Sequence, residues 1–269
     1  RNAPPARADP LTRKPMPATP PLDTVVSWLD ALLQIRDLPD YDGAANGLQV
    51  QNSGTITRIL AAVDASAESI AAAARRPGTL LLVHHGLFWG GDPAVTGMRY
   101  RRLKGALAGD VAVYSAHLPL DAHPEVGNNV LLAGLLGLTI SGPFGRYKTL
   151  DIGVHGVLEK DRTLLTRELS DLLGHPARLI PGGPERTRRV AVITGGAGSS
   201  VNEAAARGCD TFITGEGSHH TWFDAMERGV NLIYAGHWAT ETLGVKALGE
   251  RLAKEFGLPW EFFAQPTGL

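Results

Sequence analysis

The chain has 269 residues, 43% of them hydrophobic, enough to bury a sizeable core in one large domain or two small ones. Its 26 basic and 27 acidic residues nearly cancel, which argues against a global field drawing nucleic acid or an acidic membrane. A single cysteine, Cys209, excludes an intramolecular disulfide, argues against a thiolate zinc site and suits a reducing, cytoplasmic setting.

Residues 1–20 are proline-rich with a few Arg and Lys, lack the apolar core of a signal peptide, and read as a disordered arm. From Pro21 onward apolar strands alternate with Ala- and Leu-rich helical patterns, the habit of an α/β protein with a largely parallel sheet. "DTVVSWLDALLQIRDL" is the first helix. The strand "RILAAVD" ends in Asp64, read as a cap for the helix "AESIAAAARR". "TLLLVHH" suits a strand buried on both faces, and it ends in His84 and His85. Phe88 and Trp89 just beyond read as packing. "MRYRRLKG", four basic residues with one Tyr, reads as a solvated helix face and not as a nucleic-acid site. The strand "VAVYSAH" leads to His117 and "HLPLD", where Pro119 argues against a simple helix while a turn still brings His117 near Asp121.

The helices "NNVLLAGLLG" and "RTLLTRELSDLLG" follow, then the strand "RVAVIT" and a glycine-rich turn, Gly195 to Ser200, before the helix "VNEAAARG". Backbone N–H groups in that turn could cradle an anion, but the spacing fits neither the Rossmann fingerprint nor the P-loop. A tight strand-to-helix turn with a Ser cap is the simpler reading. The strand "DTFIT" precedes Glu216, His219 and His220, and "NLIYAGH" ends at His237 before the helical "TETLGVKALGERLAKEF". No apolar run approaches the roughly 20 residues of a membrane span.

Four histidines, His84, His85, His117 and His237, thus stand at carboxyl ends of predicted strands, the edge where open α/β sheets bind ligands. Two acids accompany them, Asp121 four residues after His117 and Glu241 four residues after His237. On a helix, residues four apart share a face, and His237, Glu241, Val245, Leu248 and Leu252 make one stripe, apolar beyond Glu241. A charged Glu on that inward face costs several kcal/mol unless paired. A metal ion would remove the cost. Imidazole and carboxylate without thiolate suit zinc, iron or manganese. Such an ion, with open coordination positions, can activate water and polarise an electrophile. The adjacent His84 and His85 can point to different sides.

"DGAANGLQV", "VHHGLFWGG", "HLPLDAHPEVGNN", "FITGEGSHH" and "GHWATETLGVKALGERL" together resemble the NIF-type dinuclear metal-centre family, the type 2 GTP cyclohydrolase I homologues. The resemblance runs from Pro21 to about Gly257. It implies that His84, His85, Asp121, His237 and Glu241 hold two divalent transition metal ions (Zn, Fe or Mn), with His117 and Glu216 beside them as candidate catalytic residues. It also implies toroidal hexamers.

The expected fold is α/β, with two α/β lobes of largely parallel or mixed sheets and a dinuclear metal site in the cleft between them. The metal-binding lobe is drawn over 21–125 plus 226–269 and the second lobe over 126–225. The expected function is metal-dependent hydrolysis of a small, nucleotide-like or phosphorylated substrate. The alternative is a metal-binding, metal-trafficking or regulatory protein without turnover. No residue pattern selects guanine.

Overall fold

Strand residues alternate between two faces, and in the central strands of this chain both faces are apolar. That pattern demands a helical layer on each side of a sheet, and the computed structural model, which describes residues 19–90 and 94–269, shows two such sheets. Most of the expected arm lies outside the described residues. Its last residue does not belong to an arm: Pro20 is buried, and its carbonyl accepts the Ile56 N–H at 3.0 Å.

The first sheet is built from β1 (Gly47–Val50), β2 (Arg58–Asp64), β3 (Thr79–His85), β4 (Ala112–Ser115) and the late strand β11 (Trp260–Phe262), in the order β1-β4-β3-β2-β11. All neighbours are parallel except β1 with β4. Ile59, Val63, Leu80 and Leu82 point one way, into a core with Val25 and Leu29 of α1 (Leu22–Leu33) and Val245, Leu248 and Leu252 of the long α9 (His237–Phe256). Leu60, Ala62, Leu81 and Val83 point the other way, onto α2 (Ala67–Ala73) and α3 (Gly97–Ala108).

The second sheet comprises β5 (Thr139–Tyr147), β6 (Leu150–Asp161), β7 (Arg178–Pro181), β8 (Arg186–Val192), β9 (Thr211–Thr214) and β10 (Asn231–Tyr234), ordered β5-β6-β8-β9-β10-β7. It is mixed, with β8, β9 and β10 parallel and the outer strands antiparallel. The same alternation sends Val190, Val192, Ile213 and Ile233 toward α5 (Asn128–Leu136) and α6 (Arg162–Leu173). Ala191, Ile193, Phe212 and Leu232 face α7 (Val201–Ala206) and α8 (Thr221–Arg228).

Two expectations change. The lobe boundary drawn at 225 falls too early, because β10 pairs in register with β9 and β7, and the chain rejoins the first lobe only at α9. "HLPLD" is helical after all: α4 (Leu118–Asp121) forms one turn despite Pro119. Proline is tolerated there because N–H groups in a first turn have no intrahelical acceptor. Among the described residues no helix is long and apolar enough to cross a membrane.

Parallel strands put their carboxyl ends on one edge. In the first lobe this edge carries Asp64, His84, His85 and His117; in the second it carries Thr194, Glu216 and, across the turn into α9, His237. The edges meet, with the His85 and His237 rings 5.5 Å apart.

Candidate metal centre

Each of the four strand-end imidazoles has its Nδ1 fastened to an oxygen. His84 Nδ1 donates to the Ala116 carbonyl at 2.9 Å, His85 to Asp64 Oδ1 at 2.9 Å, His117 to Asp40 Oδ1 at 2.8 Å and His237 to Glu216 Oε1 at 2.7 Å. A proton held on Nδ1 leaves the Nε2 lone pair for something else, and this arrangement recurs behind metal-bound histidines. The rings gather closely, His84 lying 4.8 Å from His85 and 5.0 Å from His117 between centroids.

Two carboxylates face those nitrogens. Glu241, one turn into α9 and 3% exposed, sets Oε1 3.2 Å from His237 Nε2 and 3.6 Å from His84 Nε2, while Oε2 is 3.4 Å from His85 Nε2. Asp121 places Oδ2 3.5 Å from His84 Nε2, and its Oδ1 accepts from Asn128 Nδ2 at 2.8 Å. Yet His84 Nε2 and Glu241 Oε2 are buried and make no hydrogen bond among the described residues. Buried polar atoms left without partners cost about 1–3 kcal/mol each, so their presence calls for an occupant. A divalent cation fits the donor set. The potential ligand atoms form two overlapping groups, His84, His85 and His117 in one and His85, His237 and Glu241 in the other, each within 4.8 Å.

The electrostatics say the same. Burial, the largest influence on His84, disfavours its charged form, but the Asp121 and Glu241 carboxylates outweigh it and raise the imidazole well above its ordinary value. Burial likewise pushes the Glu241 carboxyl up, and its imidazole neighbours, His84 foremost, overcome this and hold it below the usual range. The cluster attracts positive charge, which protons supply when no ion does.

A pH dependence follows for protein stripped by chelator. The hydrogen bond that His237 donates to Glu241, the first of its causes, raises His237 from 6.5 to about 9. A value raised on folding stabilises the metal-free fold fully below about pH 6.5, and the contribution is lost as pH climbs through about 9. Thermal unfolding of stripped protein should therefore show a midpoint several degrees lower at pH 9.5 than at pH 6. A stripped His237→Gln variant should lose most of that dependence. A flat profile in stripped wild type would contradict the pairing.

All seven residues singled out in the sequence meet at this place. They do not meet as equals. His84, His85 and His237 each bring Nε2 within 3.6 Å of a Glu241 or Asp121 oxygen, whereas His117 makes no such approach among the described residues. Glu216 touches the cluster through His237 Nδ1 and does not line the larger cavity. His219 and His220 are exposed and stand apart.

Asp64 corrects the sequence reading. The cap of α2 is Ser66, and Asp64 turns instead to His85, its register partner across the parallel pair β2 and β3. Asp40 was missed altogether. Its carboxylate accepts from His117 Nδ1, Asn46 Nδ2 and the Leu118 N–H, knitting the "DYDGAANG" loop onto the start of α4. Gly195, from the glycine-rich turn, also serves the site: φ is +70° there, and a Cβ would come within 2.2 Å of Glu241 Oε1. Only glycine fits beside that carboxylate.

Two cavities reach the cluster. The larger, about 350 Å³, is lined by His85, His117, Asp121, His237 and Glu241 and extends between the β5–β6 hairpin tip and the glycine-rich turn. The smaller, about 200 Å³, lies behind Asp64 and Glu216, against Thr267 and Leu269.

Comparison with known proteins places this geometry in a family. The chain is 45% identical over 249 residues to the GTP cyclohydrolase 1 type 2 homolog of Deinococcus radiodurans, covering 92% of this chain and 94% of that protein. It is 42% identical over 250 residues to the homolog of the same name in Pyrococcus abyssi, covering 92% and 99%. Among solved structures it superposes on the protein ybgI, described as of unknown function, with a TM-score of 0.86 and 37% identity over 92% of this chain and 99% of that one. A crystal structure from Thermus thermophilus gives 0.83 and 40%, with the same coverage. The profile of Duf34/NIF3 (NGG1p interacting factor 3) matches residues 21–267, spanning both sheets and every residue of the histidine–carboxylate cluster, and the chain belongs to that family.

Proposed function

We propose that this protein holds two divalent transition metal ions (Zn, Fe or Mn) and uses them to hydrolyse a small substrate. One observation carries the reading: histidines anchored at Nδ1 gather around buried carboxylates, leaving His84 Nε2 and Glu241 Oε2 without hydrogen-bond partners among the described residues. His84, His85, Asp121, His237 and Glu241 are the proposed ligands. When bound, such ions polarise an electrophile and lower the pKa of a coordinated water.

The chain's own groups supply the rest. Asp64, Glu216 and the Ala116 carbonyl fix the tautomer and orientation of His85, His237 and His84. His117, backed by Asp40 and facing the larger cavity, is placed to accept a proton and return it to a leaving group. The relatives' name supplies the broad idea of a nucleotide-like substrate, but no residue of this site reads guanine.

Protein purified without chelator should carry up to two equivalents of transition metal by elemental analysis. Metal-replete protein should then cleave at least one member of a panel of phosphoesters, nucleotides and cyclic amides, and no turnover across the panel would leave a metal carrier as the better reading. We also propose the ring assembly implied by the family: light scattering during size exclusion should give about six chains per particle. A monomer would refute it.

A further inference from the structure

The larger cavity continues past the metal-ligand candidates, and the groups on its far side are unused by the chemistry above. Its lining includes Arg146 and Tyr147, from the tip of the β5–β6 hairpin, and Ser199 and Ser200, where the glycine-rich turn meets α7. The tip belongs to the second lobe but is clasped by the first. Lys148 Nζ donates to Asp42 Oδ1 at 2.8 Å and to the Asp40 carbonyl at 3.1 Å, and the Tyr41 and Tyr147 rings lie 4.7 Å apart. Asp40 is also the residue that orients His117. One loop therefore sets both the hairpin tip and the proton-handling imidazole.

Arg146 is oriented but not used up. Its Nε pairs with Asp151 Oδ1 at 2.8 Å and its Nη1 donates to the Thr149 carbonyl at 3.1 Å, while Nη2 makes no hydrogen bond among the described residues. The hydroxyls of Ser199 and Ser200 are likewise without partners among the described residues. The carboxylate on this stretch of wall, Glu203, is countered by Arg207 at 3.3 Å and accepts the Gly145 N–H. It does not cancel Arg146. A guanidinium and two hydroxyls lining one cavity suit an anion with several acceptor oxygens, such as a phosphate. The Tyr41–Tyr147 pair beside them suits a planar ring.

We propose that Arg146 with Ser199 and Ser200 forms a phosphate subsite and that Tyr41 and Tyr147 form its ring-binding surface, so the substrate is a small aromatic or heteroaromatic ring bearing a phosphate. The proposal deepens the hydrolase reading and rests on it, since the bond to be cleaved must reach the neighbouring cluster. A cavity of about 350 Å³ holds a molecule of that size.

Calorimetry with phenyl phosphate and inorganic phosphate, on protein as purified and after chelation, tests the subsite. Phenyl phosphate should bind more tightly than inorganic phosphate in both preparations. Arg146→Ala should weaken both about 10- to 100-fold, the worth of one charged hydrogen bond. Arg146→Gln, which keeps much of the length of the side chain, should behave alike, and both variants should keep wild-type metal content and unfolding temperature. Tyr41→Ala should remove the preference for phenyl phosphate over inorganic phosphate. Failure of phenyl phosphate to bind wild type, or affinities within twofold of wild type in both Arg146 variants, overturns the subsite. If wild type carries no metal and Arg146→Ala still weakens binding, the subsite stands and the hydrolase reading falls. If wild type is fully loaded with metal and neither Arg146 variant changes binding, the subsite falls and the metal centre stands.

Discussion

Glu241→Gln should leave the protein nearly empty of metal. Both oxygens of Glu241 face imidazole nitrogens, Oε1 toward His237 and His84 and Oε2 toward His85, so among the proposed ligands it would be central to holding the metal. Glutamine keeps the volume and the position on α9 but removes the charge that would offset the proposed cations in a buried site. His85→Ala should act nearly as strongly, because His85 belongs to both groups of converging ligand atoms. Orienting residues should matter less: Asp64→Asn and Glu216→Gln are expected to lower affinity about 10- to 100-fold, the usual cost of losing the partner behind a ligating histidine. Elemental analysis after dialysis against a weak chelator separates the three classes, with exposed His219→Ala as the control. Wild-type content in both Glu241→Gln and His85→Ala would refute the ligand assignment.

Where local chemistry and burial agree, the sequence was legible. "RILAAVD" and "TLLLVHH" are strands over the residues expected, because unbroken apolar runs closed by polar residues suit a sheet covered on both faces. The stripe His237, Glu241, Val245, Leu248, Leu252 lies on one buried face of α9 for most of its length, as spacing alone requires. The five unforeseen strands lack such a signal. β5 carries glycine and proline inside "TISGPFGRY" and has a register shift between Ile140 and Gly142; β1, β7 and β11 have only three or four residues. β1, β7 and β11 pair only with strands distant in sequence.

The site shows the same division. His84, His85, His117 and His237 could be picked out because strand ends can be read locally. The residues behind them could not. Asp64 caps nothing, and its role depends on which residue lies across the parallel pair, a fact of register. Asp40 lies 77 positions before His117 in a loop without regular structure, and only the packed lobes bring the two together. The proposed ligands sit on elements or at their ends; the groups that aim them come from tertiary contacts.

His117 offers the sharpest separation of binding from chemistry. Its ring lies near His84 and His85, yet no Glu241 or Asp121 oxygen comes within salt-bridge distance of it, unlike the rings of His84, His85 and His237. It faces the larger cavity, and Asp40 secures its Nδ1; burial is the largest influence on the Asp40 carboxyl and pushes it up, but His117 and the other hydrogen-bond donors together hold it below its ordinary value. With Nδ1 so held, Nε2 is the atom that can take and return a proton at the cavity. His117→Ala should therefore retain its metals while turnover falls about 100- to 10,000-fold, the range of general acid–base catalysis. Asp121→Asn and Glu241→Gln should abolish turnover together with metal. A contaminating hydrolase cannot reproduce that split, because its activity would not follow the variants. Asp40→Asn should fall between, metal-replete and slowed less than His117→Ala, since it disturbs the orientation of the imidazole and not its presence. If His117→Ala instead loses half its metal and its rate falls only in proportion, His117 is a ligand and the proton must be carried by another group.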